Sequence, residues 1–75
     1  MNESISEYVV VYEKTPTGYS AYVPDLPGCI TTGASLSDTK KNMQEAIRGH
    51  LAVMREFGDP IPLPTTETER MQVSA

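Results

Sequence analysis

The stretch Tyr19-Ser20-Ala21-Tyr22-Val23-Pro24-Asp25-Leu26-Pro27-Gly28-Cys29-Ile30-Thr31-Thr32 decides the fold of this 75-residue chain. Tyr19 to Val23 reads as a strand, with Tyr19, Ala21 and Val23 on one face and Ser20 and Tyr22 on the other. Pro24 has no N–H to give to a ladder, so it ends the strand or places it at an edge. Pro27 and Gly28 fit the two central positions of a type II turn. Cys29 to Thr32 is then a short further strand, closed by Gly33.

Upstream, residues 5–14 read as the partner strand. Val9, Val10 and Val11 are β-branched and flanked by Tyr8 and Tyr12, all of which suit a pleated surface. The run is apolar on both alternating faces, the pattern of a strand covered on both sides. Thr15-Pro16-Thr17-Gly18 joins the two strands. Proline presets the second position and glycine accepts a left-handed conformation after a type I turn, which predicts a hairpin with a glycine bulge.

Downstream, Ser35 predicts a helix N-cap with Asp38 three residues on. Leu36, Met43, Ile47, Leu51, Met54 and Phe57 recur at helical spacing, with Ala46 beside them. Gly58 and Pro60 end the helix. It spans about 22 residues, or roughly 33 Å. Gly49 lies inside it, at a price of about 1 kcal/mol against alanine; it is either tolerated or marks the close approach of another backbone. Pro60, Pro62 and Pro64 alternate in an extended segment. Residues 67–74 read as a last strand with Met71 and Val73 on one face.

The order is β-β-β-α-β, an α+β domain with a small mixed sheet and one long helix on one face. Residues 1–75 make a single domain with its core over about 5–64. If the last strand pairs parallel to the first, the first becomes central. One helix leaves the other face of the sheet carrying either Val9 and Val11 or Tyr8, Val10 and Tyr12. An apolar patch of that kind marks an interface, with a second copy or with another protein.

Composition narrows the function. A chain this short buries roughly 60% of the surface that its unfolded form exposes, which excludes a multidomain enzyme. The net charge is −4, from 6 Lys+Arg against 10 Asp+Glu, and lacks the basic footprint that phosphate contacts need. The single cysteine, Cys29, excludes an intrachain disulfide and a cysteine-based zinc site, and reads as a small buried hydrophobe. The longest apolar run, Tyr8 to Tyr12, is far short of a membrane span, and the N-terminus has no basic region of a signal peptide. His50 falls beside the helical stripe and reads as a packing residue. Glu7, Glu13, Asp25, Glu67 and Glu69 show no spacing that assembles a two-metal site. No phosphate loop is present, and no cofactor or metal is expected.

The combined string is more telling. Tyr8-Val9-Val10-Val11-Tyr12-Glu13 precedes a Gly-bearing turn, and the run from Tyr19 to Cys29 follows. A Thr/Gly strand end, a Ser-capped helix with Ala46-Ile47 and His50-Leu51, and the exit Ile61-Pro62-Leu63-Pro64 complete it. This pattern resembles the HicB-like antitoxin family over residues 8 to about 64. The resemblance implies a partial, catalytically degenerate RNase H-like fold and a cytoplasmic, non-enzymatic binding protein. It implies a HicA-like toxin as partner, a small double-stranded-RNA-binding fold that cleaves messenger RNA with a histidine. Antitoxins of the family cover the toxin's active surface, and an acidic antitoxin suits a basic toxin. Many members add a C-terminal DNA-binding module; the roughly eleven residues after Pro64 hold none, so direct DNA binding is not expected. The helix opening Leu36-Ser37-Asp38-Thr39-Lys40-Lys41 departs from the Glu-Glu-Ala usual at that point, which alters a surface and a small packing position.

On this reading the partner-binding residues are Tyr19, Tyr22, Pro24, Leu26 and Pro27, because they are large or rigid and flank an edge. The plainer reading gives Pro27-Gly28 to the turn and the tyrosines to sheet packing. Two other functions stay open: a solitary, self-assembling HicB-like domain without a toxin, and a residual metal-dependent nuclease. Homo-oligomerisation through the open sheet face is compatible with all of them.

Overall fold

The computed structural model describes residues 6–74. β1 (Val11–Thr15) and β2 (Gly18–Tyr22) form the expected antiparallel hairpin, with Val11 opposite Tyr22 and Thr15 opposite Gly18. β3 (Ile30–Gly33) pairs antiparallel with the other side of β2, Tyr22 opposite Ile30 and Tyr19 opposite Gly33. The order is β1-β2-β3, so β2 is central and β1 is an edge. The expected first strand began at Ile5, which lies outside the described residues; residues 6–10 precede the ladder without joining it. Residues 67–74 make no ladder either, so the sheet is antiparallel rather than mixed and the first strand does not become central.

Gly18 pairs directly with Thr15 and forms no bulge. Its requirement for glycine is steric: a Cβ there would run into the Gly33 carbonyl oxygen and sit 2.9 Å from the Ala34 Cα. Gly33 is constrained in the same way, because its Cβ would lie 2.7 Å from the backbone nitrogen of Thr39. The start of β2, the end of β3 and the first turn of the helix are thus in backbone contact, which only small residues allow.

The helix α1 (Leu36–Glu56) is capped as expected. The Asp38 N–H donates to Ser35 Oγ at 3.1 Å. Thr39, fully buried, donates its hydroxyl to the Ser35 carbonyl at 2.7 Å, so its polar atom is satisfied inside the core. At the other end Gly58 adopts φ 71 and donates to the Arg55 carbonyl, while the Asp59 N–H donates to that of Met54. This is the Schellman termination that a glycine just past the helix permits.

The core is small: Ala21, Val23, Leu26, Cys29 and Met43, with Tyr8, Val10, Tyr12, Ala46, Ile47 and Leu51 packed against it. The helix therefore covers the face that carries Tyr8, Val10 and Tyr12. At 21 residues it is about 32 Å long, against about 17 Å for a five-residue strand, so it overhangs the sheet. The overhang explains why Phe57, on the expected apolar stripe, stays exposed. The segment after Asp59 returns across the domain: the Tyr8 hydroxyl donates to the Pro62 carbonyl, 54 residues away in sequence. No helix is long and apolar enough to cross a membrane among the described residues.

Candidate interaction surface

Residues 23–29 form a closed loop built from two successive turns. The Leu26 N–H donates to the Val23 carbonyl at 3.1 Å, and the Cys29 N–H donates to the Leu26 carbonyl at 3.0 Å. Pro24 and Pro27 each occupy the second position of a turn, where their fixed φ is already correct. Gly28, at φ 84, supplies the left-handed third position of the type II turn. A bond from the Val23 N–H to the Cys29 carbonyl, 3.1 Å, closes the loop at the sheet. Leu26 lies at the junction of the two turns and is driven inward, with 0% of its surface exposed.

The turn also presents Asp25 to the C-terminal segment. Its carboxylate accepts from the Thr66 N–H (3.0 Å) and hydroxyl (2.8 Å) and from the Thr65 N–H (3.0 Å) and hydroxyl (3.2 Å). These donors, the Thr66 N–H first among them, hold the Asp25 carboxyl below its ordinary value of 3.8. Cys29 sits beneath the loop, where burial pushes its thiol up, away from the thiolate that a nucleophile needs.

Strand register sorts the sheet's side chains. Val11, Tyr22 and Ile30 are cross-strand neighbours and form one apolar row over all three strands. They lie on the face that α1 leaves uncovered, and Ile30 is 70% exposed. The adjacent row, Glu13, Ser20 and Thr32, is polar. The uncovered face therefore pairs an apolar row with a polar margin.

The five residues expected to bind a partner do not form one surface. Tyr22 stands on the uncovered face, and Pro24 and Pro27 are exposed on the loop. Tyr19 lies on the opposite face, half-buried beside Leu36 and Lys40. Leu26 lies wholly inside the core, where its side chain supports the loop rather than the surface. Sequence reasoning missed Ile30. The signal was available, since Cys29 inward implies Ile30 outward and the β2–β3 register sets it opposite Tyr22.

Ile30 also borders a second depression, around the β3 edge, formed with Pro27 and with His50, Gly49 and Val53 of α1. His50 is half-buried at its wall. No group of three or more His, Cys, Asp or Glu side chains is placed to hold a metal ion among the described residues.

Comparison with known proteins places these features in context. The model of a family described as the HicB-like antitoxin of bacterial toxin–antitoxin systems matches residues 8–74, beyond the stretch that carries the sequence motifs. A UPF0150 protein of Thermoplasma acidophilum is 34% identical over 62 residues, covering 81% of this chain and 90% of that protein. A 14.9 kDa protein from the rep–hol intergenic region of Haemophilus phage HP1 is 40% identical over 55 residues, 73% of this chain. This chain spans 41% of the phage protein's length. Among solved structures, a chain of a HicA3 and HicB3 toxin–antitoxin complex superposes with a TM-score of 0.70 at 33% identity, covering 80% of this chain and 70% of that one.

Proposed function

Because this chain belongs to the HicB-like antitoxin family of bacterial toxin–antitoxin systems, we propose that it is an antitoxin that neutralises a HicA-like, messenger-RNA-cleaving toxin by direct contact. The observation that carries this reading is its likeness, at a TM-score of 0.70 and 33% identity, to a chain of a toxin–antitoxin complex. Its role is binding rather than catalysis, in the cytoplasm where the toxin meets its RNA. The fold is a degenerate RNase H-like sheet, and its uncovered apolar row, with Tyr22 at the centre, is the contact surface. Pro24 and Pro27 frame that surface on a rigid loop, so little chain entropy is lost on binding. The net charge of −4 favours encounter with a basic, RNA-binding partner.

The test is co-expression with the product of the adjacent reading frame, followed by pull-down and an RNA-cleavage assay. A stable complex with suppressed cleavage supports the antitoxin role; no complex, or undiminished cleavage, defeats it. Tyr22→Ala weakens the complex while the domain stays folded, and unchanged affinity in the folded variant removes Tyr22 from the contact.

The Val11–Tyr22–Ile30 row also favours a second reading, self-association through the uncovered face. Light scattering at high concentration distinguishes them, because a strict monomer is incompatible with it.

A further inference from the structure

Gly49 stands in the middle of α1, where glycine weakens a helix. No contact among the described residues requires it: a Cβ built there meets no atom within 4 Å. This contrasts with Gly18 and Gly33, whose Cβ positions are occupied by neighbouring backbone. The space at Gly49 opens into the depression between α1 and the β3 edge, about 650 Å³ in volume. Ile30 and Val53 line it at 70% and 52% exposure, and Phe57 lies a turn beyond at 74%. Asp59 is the acidic residue of its lining.

The depression continues the uncovered sheet face. Ile30 borders both this groove and the shallow one formed by Ser20, Tyr22 and Thr32. Between them runs the outer edge of β3. The Val23–Cys29 bond and the register set Ile30's own backbone N–H and carbonyl outward, away from β2. Further along, the outward carbonyl of Thr32 is taken by Asn42 Nδ2 at 2.9 Å, so the edge is closed at Thr32, whereas among the described residues it is open at Ile30.

We propose that the Gly49 groove is a docking slot for a partner that inserts an apolar side chain between Ile30 and Val53 and sets a lysine or arginine against Asp59. The charge follows from the groove's own carboxylate and the chain's net −4. On the antitoxin reading, which this inference rests on, that partner is the toxin, and its contact wraps from the Tyr22 row around the β3 edge.

Filling the slot tests the idea. Gly49→Leu is made in the full chain, together with Val53→Glu, which places a charge at the same groove from an exposed position. Each is titrated with the purified toxin from the adjacent reading frame, carrying an inactivating substitution, and each is melted alone. The expected result for Gly49→Leu is a melting temperature at or above that of the parent chain and toxin affinity at least tenfold weaker. Val53→Glu loses affinity similarly, and Asp59→Asn flattens the salt dependence of binding. If both groove variants fold and bind like the parent chain, the slot is overturned while the antitoxin reading stands. If the parent chain itself does not bind the toxin, both fall. If the variants instead dissociate a homodimer and leave toxin affinity unchanged, the occupant is a second copy and the proposal is wrong.

Discussion

Leu26→Ala separates a core residue from a contact residue. Leu26 is wholly buried at the junction of two turns, closed at the sheet by the Val23–Cys29 bond. Removing about three methylene equivalents at about 0.8 kcal/mol each loses about 2.4 kcal/mol of transfer free energy. The two prolines restrict collapse of the loop, so a residual cavity adds about 0.5–1 kcal/mol. The expected destabilisation is therefore about 3 kcal/mol. A domain of this size has only about 4–11 kcal/mol in total, so the variant loses a large part of its stability. Its melting temperature falls by roughly 12–24 °C. Urea unfolding followed by far-UV circular dichroism measures this directly, and an unchanged m-value confirms that the same surface is exposed. Pro27→Ala is the control: its ring is exposed, and its effect stays within about 1 kcal/mol. A Leu26→Ala loss below about 1 kcal/mol would refute the argument, because it would mean that Leu26 contributes nothing a solvent-exposed side chain does not.

The same substitution at two glycines has opposite signs: Gly33→Ala forces a Cβ against the Thr39 backbone and costs about 1–3 kcal/mol. Gly49→Ala, with open space around it, raises stability by about 1 kcal/mol. Paired thermal melts check both, and equal signs contradict the packing described. Asp25→Asn loosens the C-terminal segment, read as faster amide exchange at Thr65 and Thr66. Because the folded Asp25 carboxyl is held below 3.8, the stabilisation that it provides is complete above that value. It disappears as the pH falls through the lower folded value, and exchange that is indifferent to both substitution and acid rejects the latch. Ser35→Ala removes the acceptor for the Asp38 N–H and costs about 1 kcal/mol, measured by urea titration; a change under about 0.3 kcal/mol shows that the cap is idle.

Elements whose causes are local were legible in the residues alone. Ser35 caps the helix because its side chain reaches an N–H three residues on, and Gly58 ends it because only a left-handed residue completes that turn. Pro27-Gly28 makes its type II turn by the same kind of short-range constraint, and Pro16-Thr17 closes the hairpin. The motif string that resembles HicB-like antitoxins was equally legible, since it depends on residue identity and spacing alone.

Features that depend on partners distant in sequence emerged only from the packed fold. Both faces of the Tyr8–Tyr12 run are apolar, so the pattern did not say which one the helix covers; packing of Tyr8, Val10 and Tyr12 onto the core settles it. Leu26 and Pro27 are neighbours of similar character in sequence, yet two turns bury one and expose the other. Residues 67–74 alternate like a strand but form no ladder, because alternation supplies a face and not a hydrogen-bonding neighbour. Glycine shows the division most clearly. Gly33 is held by the Thr39 backbone and Gly49 faces open space, and nothing within one or two residues of either could distinguish crowding from room.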